Sequence, residues 1–237
     1  MDRKSISHVT ENVHELLAEV RQAAIDCGRS PEDVALMAVT KTVAPELVNE
    51  AIDAGITLLG ENRAQELLDK FDSYEKDHVD IHFIGHLQTN KVRQIVDKVS
   101  MIHSVDSLHL AQEIDKQSAK HGKVMDVLVE VNIGDEDSKS GVSAAELEPL
   151  LLEIAKLEHI SVKGLMCIPP ICENIANSAH YFAKMQQIFI DMKQKKLDNI
   201  SMSILSMGMS NDYKTAIQYG SNIVRIGTAM FGARKYN

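Results

Sequence analysis

Leu205–Ser210 (LSMGMS) and Arg225–Ala233 (RIGTAMFGA) each follow a short apolar run and each open a helical pattern. A glycine-bearing turn of this kind leaves backbone N–H groups unpaired at a helix N-terminus, where a phosphate binds. If the two runs are the last two strands of a (β/α)8 barrel, the phosphate site expected after strands seven and eight falls at Ser206–Gly208 and Gly227–Thr228. Lys41, far upstream at the end of the first strand, then faces that site.

Working outward, the rest of the chain repeats the same unit. The β-branched runs Val34–Thr40, Ile56–Leu59, Val79–Ile84, Met101–Ser104, Val124–Val131, Ile160–Met166, Met202–Leu205 and Ile223–Ile226 alternate with helical patterns. That alternation predicts a parallel sheet with outer helices. Pro45 opens the helix that ends at Ala54-Gly55, Ser143 and Glu146 have capping-box spacing, and a long helix is predicted from about Asn174 to Lys195. Ahead of the first unit, Val9, Val13, Leu16, Leu17, Val20 and Ala24 keep a helical period up to Asp26. The expectation is a single domain, residues 1–237, folded as a (β/α)8 TIM barrel with an added N-terminal helix.

Composition narrows the function. With 44% hydrophobic and 25% charged residues the chain reads as an ordinary globule. A formal net charge of −9 argues against sequence-independent nucleic-acid binding, which demands a basic footprint. No apolar run approaches the roughly 20 residues that cross a bilayer, and the N-terminus has no signal-like core. Cys27, Cys167 and Cys172 have no metal spacing, so no metal site is expected, and a cytoplasmic location is.

Polar and glycine residues gather after the strand ends: Lys41, Asn62, Gly85, Asn132, Lys139, Ser206, Gly208 and Gly227. In a barrel these share one rim, the face that carries function. A lysine delivered to that rim can attack an aldehyde and form an imine, although a lone lysine at a strand end is ordinarily just a rim charge. Ser206, Gly208, Gly227 and Thr228 offer backbone donors and hydroxyls to a phosphate. Arg225 precedes Gly227 by two residues on the same side of the strand; it donates to a ring nitrogen of the ligand or pairs with a carboxylate at the rim. Phosphate, imine-forming lysine and ring-facing cation together describe pyridoxal 5′-phosphate (PLP). An arginine there disfavours protonation of the pyridine nitrogen and so weakens the electron sink on which carbanion chemistry depends.

At this point the ordered motifs are recognisable. AVTK at Ala38–Lys41, GENRAQE at Gly60–Glu66, HFIGHLQTNK at His82–Lys91, HSVDS at His103–Ser107, VNIGDEDSKSG at Val131–Gly141, LSMGMSNDY at Leu205–Tyr213 and RIGTAMFGAR at Arg225–Arg234 resemble the YggS/PROSC family of PLP homeostasis proteins. The resemblance covers nearly the whole chain and implies the barrel of bacterial alanine racemase standing alone. It implies that Lys41 forms the internal aldimine, that Ser206, Gly208, Gly227 and Thr228 hold the phosphate, that Arg225 faces the pyridine nitrogen and that Asn62 lines the pocket. Lys139 matches a rim lysine implicated in handling vitamin B6 vitamers. PLP, other vitamers and PLP-dependent apoenzymes are the implied partners, and a monomer the implied state. The chain ends at Asn237 without the β-rich domain of alanine racemase, so no residue is assigned a catalytic role and two-base racemisation is not expected.

The expected function is therefore a PLP-binding protein that buffers or delivers its cofactor. A weak PLP-dependent amino-acid racemase is the alternative with the same lysine, and a phosphosugar isomerase or aldolase the alternative without PLP. Other features are read as structural: His82 as a core histidine, Met202, Met207 and Met209 as packing, Lys163 as a strand or rim charge, and Lys193, Lys195 and Lys196 as a solvated helix end.

Overall fold

In a computed structural model of the protein, which describes residues 8–136, 140–170 and 178–232, eight parallel strands close into a barrel in sequence order, the first pairing with the last. The strands are β1 (Ala35–Val39), β2 (Leu58–Glu61), β3 (Asp80–Phe83), β4 (Met101–Val105), β5 (Met125–Glu130), β6 (Ile160–Met166), β7 (Ile200–Met209) and β8 (Ile223–Ile226). After α1 (His8–Asp26), the helices between strands are α2 (Pro45–Asp53), α3 (Ala64–Lys70), α4 (Thr89–Ile95), α5 (Leu108–Lys120), α6 (Ala144–Ile154), α7 (Ala179–Gln194) and α8 (Tyr213–Gln218), and α9 (Thr228–Phe231) follows β8. The sequence places β6 and β8 to the residue. The capping box at Ser143 is present, with the Ser143 hydroxyl accepting from the Glu146 amide.

Alternation along each strand sorts side chains into two environments. Leu36 and Ala38 of β1 and Leu59 of β2 join the large core under the helices. Met37, Leu58, Ile84 and Ile223 instead pack with each other inside the barrel, and Met101, Leu128 and Met166 form a second inner group. Polar side chains occupy inward positions as well: His82, His103, Glu130, Ser206 and Arg225, all buried. A barrel interior is ordinarily filled by layers of branched apolar residues, so this polar layer distinguishes the fold.

One boundary corrects the sequence reading. The predicted seventh strand ends at Leu205, whereas β7 continues to Met209, so Ser206 and Gly208 are strand residues and not a helix-opening loop. Ser206 pairs with Met166 on one side and Ile223 on the other, and its carbonyl accepts the Cys167 amide at 3.2 Å. Between the pairs Ser206–Ile223 and Met209–Arg225, β7 carries one residue more than β8. This bulge contains Gly208, at φ +92, where an added Cβ would lie 2.5 Å from the Ala216 Cβ of α8. The chain turns only after it, at residues 210–212.

α1 braces the two elements that follow the last strands. The Asn12 side-chain amide donates to the Met230 carbonyl at 2.9 Å, and the Tyr213 hydroxyl donates to Glu19. Just beyond the helix, Arg29 donates to the Ser221 carbonyl at 2.7 Å. No helix among the described residues is long and apolar enough to cross a membrane.

Candidate functional site

A cleft of about 300 Å³ opens at the C-terminal mouth of the barrel, the size of a small-molecule site. Lys41, Asn62, Arg225, Gly227 and Thr228 line it. These come from the ends of β1, β2 and β8, so the barrel brings together side chains almost two hundred residues apart. Val39 and Ile84 supply apolar floor, while Ile168, Pro169 and Met209 form the opposite rim. Ser206 and Gly208 are not among the lining residues: the bulge turns Gly208 toward α8, and Ser206 lies one layer deeper. Ser210 and Asp212 line the cleft instead. The signal for them lay in Ser210-Asn211-Asp212, a polar run whose last member is an N-cap type directly before a helix; it places the turn at 210–212. The Asp212 carboxylate accepts the Met209 amide at 2.7 Å, and burial raises its pKa.

Gly227 follows β8 and caps the four-residue α9, an arrangement that in such barrels presents amides to a phosphate. The Ser210 hydroxyl approaches the Ala229 amide at 3.5 Å, which ties the turn after β7 to the start of α9. On the other side of the cleft, Asn62 is held by a close approach: a Cβ on Gly85 would lie 2.1 Å from the Asn62 carbonyl oxygen. The buried Oδ1 of Asn62 has no hydrogen-bond partner among the described residues. A buried acceptor without a donor is costly unless a ligand supplies one.

Beneath the cleft, Arg225 is the last member of a buried chain. Its guanidinium donates to Ser206 Oγ at 2.6 Å and to the Cys167 carbonyl at 2.8 Å. Ser206 Oγ lies 3.2 Å from His103 Nδ1, and His103 Nε2 lies 2.9 Å from His82 Nδ1. β4 and β7 are not neighbours in the sheet, so the His103–Ser206 bond crosses the barrel interior. Arginine only donates, so Ser206 Oγ accepts from it and keeps both its proton and a second lone pair for His103 Nδ1. Of the two ring nitrogens 2.9 Å apart, one carries the proton and the other accepts it.

Burial lowers the pKa of both histidines, His82 to about 4, and the nearby Arg225 adds to the effect on His103. Both are neutral at physiological pH. Burial also pulls Arg225 below its ordinary value, countered by Cys167, Glu130 and Asp212, but a guanidinium stays cationic. Burial and the Asp106 charge raise Glu130 to about 7, and burial raises the Cys167 thiol to about 12.

His82 is a bonded core histidine, Met202 and Met207 are buried, and Met209 reaches the cleft. Lys163 pairs with Asp126 at 3.3 Å, and Lys195 with Glu148 at 2.7 Å. Lys139 and Cys172 lie outside the described residues. Among the described residues, no group of three or more histidine, cysteine or acidic side chains is placed to hold a metal ion.

A family model for the N-terminal domain of alanine racemase matches residues 13–235. The pyridoxal phosphate homeostasis protein of Aquifex aeolicus is 41% identical over 226 residues, 95% of this chain and 98% of that one. Its counterpart in Escherichia coli is 38% identical over 236 residues, 98% of this chain and 99% of that one. Among solved structures, PipY of Synechococcus elongatus with PLP bound superposes with a TM-score of 0.83 at 29% identity, covering 95% of this chain and all of that one (100%). Alanine racemase from Corynebacterium glutamicum shares the fold, with a TM-score of 0.71 at 16% identity over 96% of this chain and 62% of that one.

Proposed function

Since the chain belongs to the alanine racemase N-terminal domain family, and its near full-length relatives are pyridoxal phosphate homeostasis proteins, we propose that it binds PLP at the barrel mouth. Its role is then to hold, buffer or deliver that cofactor without turning over a substrate. The observation that carries the reading is the convergence of the Lys41 amine, the Gly227–Thr228 turn and the Arg225 guanidinium on one cleft. Asn62 Oδ1, buried without a donor among the described residues, fits a ligand there.

The roles follow from the positions. Gly227 and Thr228, joined by Ser210, hold the phosphate through amides and hydroxyls. Arg225 lies toward the ring and, being permanently cationic, opposes protonation of the pyridine nitrogen. Ser206 acts through Arg225, and Gly208 by shaping the bulge that delivers Met209 and Ser210 to the rim. PLP supplies an aldehyde that takes up a primary amine with loss of water, and Lys41 is the amine that fits. The ionisable groups among the described lining residues are Lys41, Asp212 and Arg225. Asp212 is engaged with the Met209 amide, an arrangement that suits a tether better than a pair of opposed bases. On the same reading the recipients are PLP-dependent apoenzymes, other B6 vitamers share the cleft, and the protein is a cytoplasmic monomer.

The test is a PLP titration of wild type and Lys41→Ala, followed by borohydride reduction and peptide mass analysis. Wild type is expected to turn yellow and to yield one reduced adduct on Lys41. Lys41→Ala is expected to keep weaker binding and to yield no adduct. Absence of any adduct in wild type overturns PLP binding on Lys41, and racemisation of added amino acids, followed by circular dichroism, overturns the non-catalytic role.

A further inference from the structure

Lys41 sits in a turn whose main chain is held from outside the barrel. Strand alternation sends Met37, Val39 and Lys41 inward and Thr40 outward. The buried Thr40 hydroxyl donates to Glu61 Oε1 at 2.7 Å, and its amide donates to the Gly60 carbonyl at 3.1 Å. Its carbonyl accepts Lys70 Nζ at 3.0 Å. On the other side of Lys41, Thr42 has φ +61, a left-handed conformation that is an outlier for a β-branched residue. The Thr42 amide donates to Glu66 Oε1, and the same oxygen accepts from Lys70 Nζ.

Glu66 and Lys70 are one turn apart on α3, with side chains only 17% and 12% exposed. An intrahelical pair of this spacing needs no partner elsewhere, yet both of these side chains also bind the backbone of residues flanking Lys41. Their bonds end on two peptide groups, one before and one after the lysine. Tyr74 adds a bond to Glu61 Oε1 at 2.5 Å, closing the outer wall of the turn.

We infer that Glu66 and Lys70 form a clamp that positions Lys41, Glu66 by holding Thr42 left-handed and Lys70 by fixing the Thr40 carbonyl, so that the amine enters the cleft already aimed. The inference rests on the reading of Lys41 as the PLP tether. Glu66 and Lys70 are positioning residues that act through the backbone. In the step they assist, the Lys41 nitrogen bonds to the aldehyde carbon, and the carbonyl oxygen leaves as water with two protons from the neutral amine. Preorganisation of the nucleophile speeds that step without adding a contact to the ligand.

The experiment compares full-length wild type, Glu66→Ala and Glu66→Ala/Thr42→Gly. It reads the rate of adduct formation with PLP by stopped-flow absorbance and Thr42 amide exchange by NMR. Non-covalent PLP affinity is read in Lys41→Ala with and without Glu66→Ala. Glu66→Ala is expected to slow adduct formation about tenfold, the scale of one strained residue released, and to speed exchange at Thr42. Non-covalent affinity is expected to stay within about twofold, since the clamp touches no ligand. Glycine accepts positive φ without steric cost, so Thr42→Gly is expected to restore most of the rate in the Glu66→Ala background. A wild-type rate in Glu66→Ala, or no recovery in the double variant, overturns the clamp. If wild type forms no adduct at all, the PLP reading fails on its own. Exchange at Thr42 then decides the clamp, which unchanged exchange in Glu66→Ala overturns.

Discussion

Replacing Ser206 by alanine tests the buried chain that anchors Arg225. The hydroxyl accepts from the guanidinium at 2.6 Å and faces His103 Nδ1 at 3.2 Å, with the residue itself fully buried. Ser206→Ala leaves one charged donor and one ring nitrogen without their partner. A hydrogen bond to a charged group contributes about 1.5–3 kcal/mol, and a buried neutral polar group left unpaired costs about 1 kcal/mol or more. The sum is about 3 kcal/mol. For a chain of this length each kcal/mol shifts the melting temperature by about 2–4 °C, which gives a loss of roughly 6–12 °C. The control is Ser203→Ala on the same strand, whose exposed hydroxyl donates to the Lys163 carbonyl at 3.2 Å and whose removal belongs within about 0.5 kcal/mol of wild type. Thermal and urea unfolding at pH 8, where both histidines are neutral, measure the difference. If Ser206→Ala is as stable as Ser203→Ala, the chain does not carry the energy assigned to it, and Ser206 is not what holds Arg225.

Two further substitutions probe the site. The Glu130 carboxyl keeps its proton up to about 7 in the fold against an ordinary 4.5, so the folded state binds more protons between these values. Stability from this group is therefore fully present below about pH 4.5 and lost as pH rises to about 7, by an amount on the order of 3 kcal/mol. The depressed histidines slope the other way at acid pH, so the comparison is with Glu130→Gln. The variant is expected to lack the falling segment in melting temperature against pH, and parallel curves would refute the assignment. Gly85→Ala places a methyl 2.1 Å from the Asn62 carbonyl oxygen, a backbone atom with little freedom to yield. A loss of about 3 kcal/mol in urea unfolding is expected, with weaker PLP binding as Asn62 is displaced; a variant with wild-type stability and affinity would show that the close approach relaxes.

The barrel was legible because short runs rich in apolar residues alternate with helical patterns along the chain, as at Ile160–Met166 and Ile223–Ile226. Lys41, Asn62, Gly227 and Thr228 were legible because they fall where such runs end. The end of β7 was not. Ser206 and Gly208 break the apolar run, and a polar residue after a strand ordinarily marks a loop. Ser206 stays in the sheet because it points into the barrel and bonds to Arg225 and to His103, residues distant in sequence that no local window pairs. The bulge is equally non-local: its extra residue is defined only against β8, and it is what exchanges Gly208 for Ser210 at the cleft. The His82–His103 contact has the same character, since strand alternation alone does not say whether an inward histidine meets water, a ligand or another histidine.

The polar layer also explains how a chain of net charge −9 presents a site for an anion. Below it the interior is filled by Met37, Leu58, Ile223, Met101, Leu128 and Met166, so a guanidinium at the next level has little water and needs acceptors. The two it has among the described residues, a serine hydroxyl and a peptide carbonyl, are neutral. The carboxyl groups nearest in charge, Glu130 and Asp212, are both driven by burial toward their protonated forms. These hydrogen-bond partners hold the Arg225 charge in place without cancelling it. A cation satisfied by dipoles in a low-dielectric wall projects its field into the adjoining space. That space is the cleft lined by Lys41, Gly227 and Thr228, where the proposed reading puts the phosphate of the ligand.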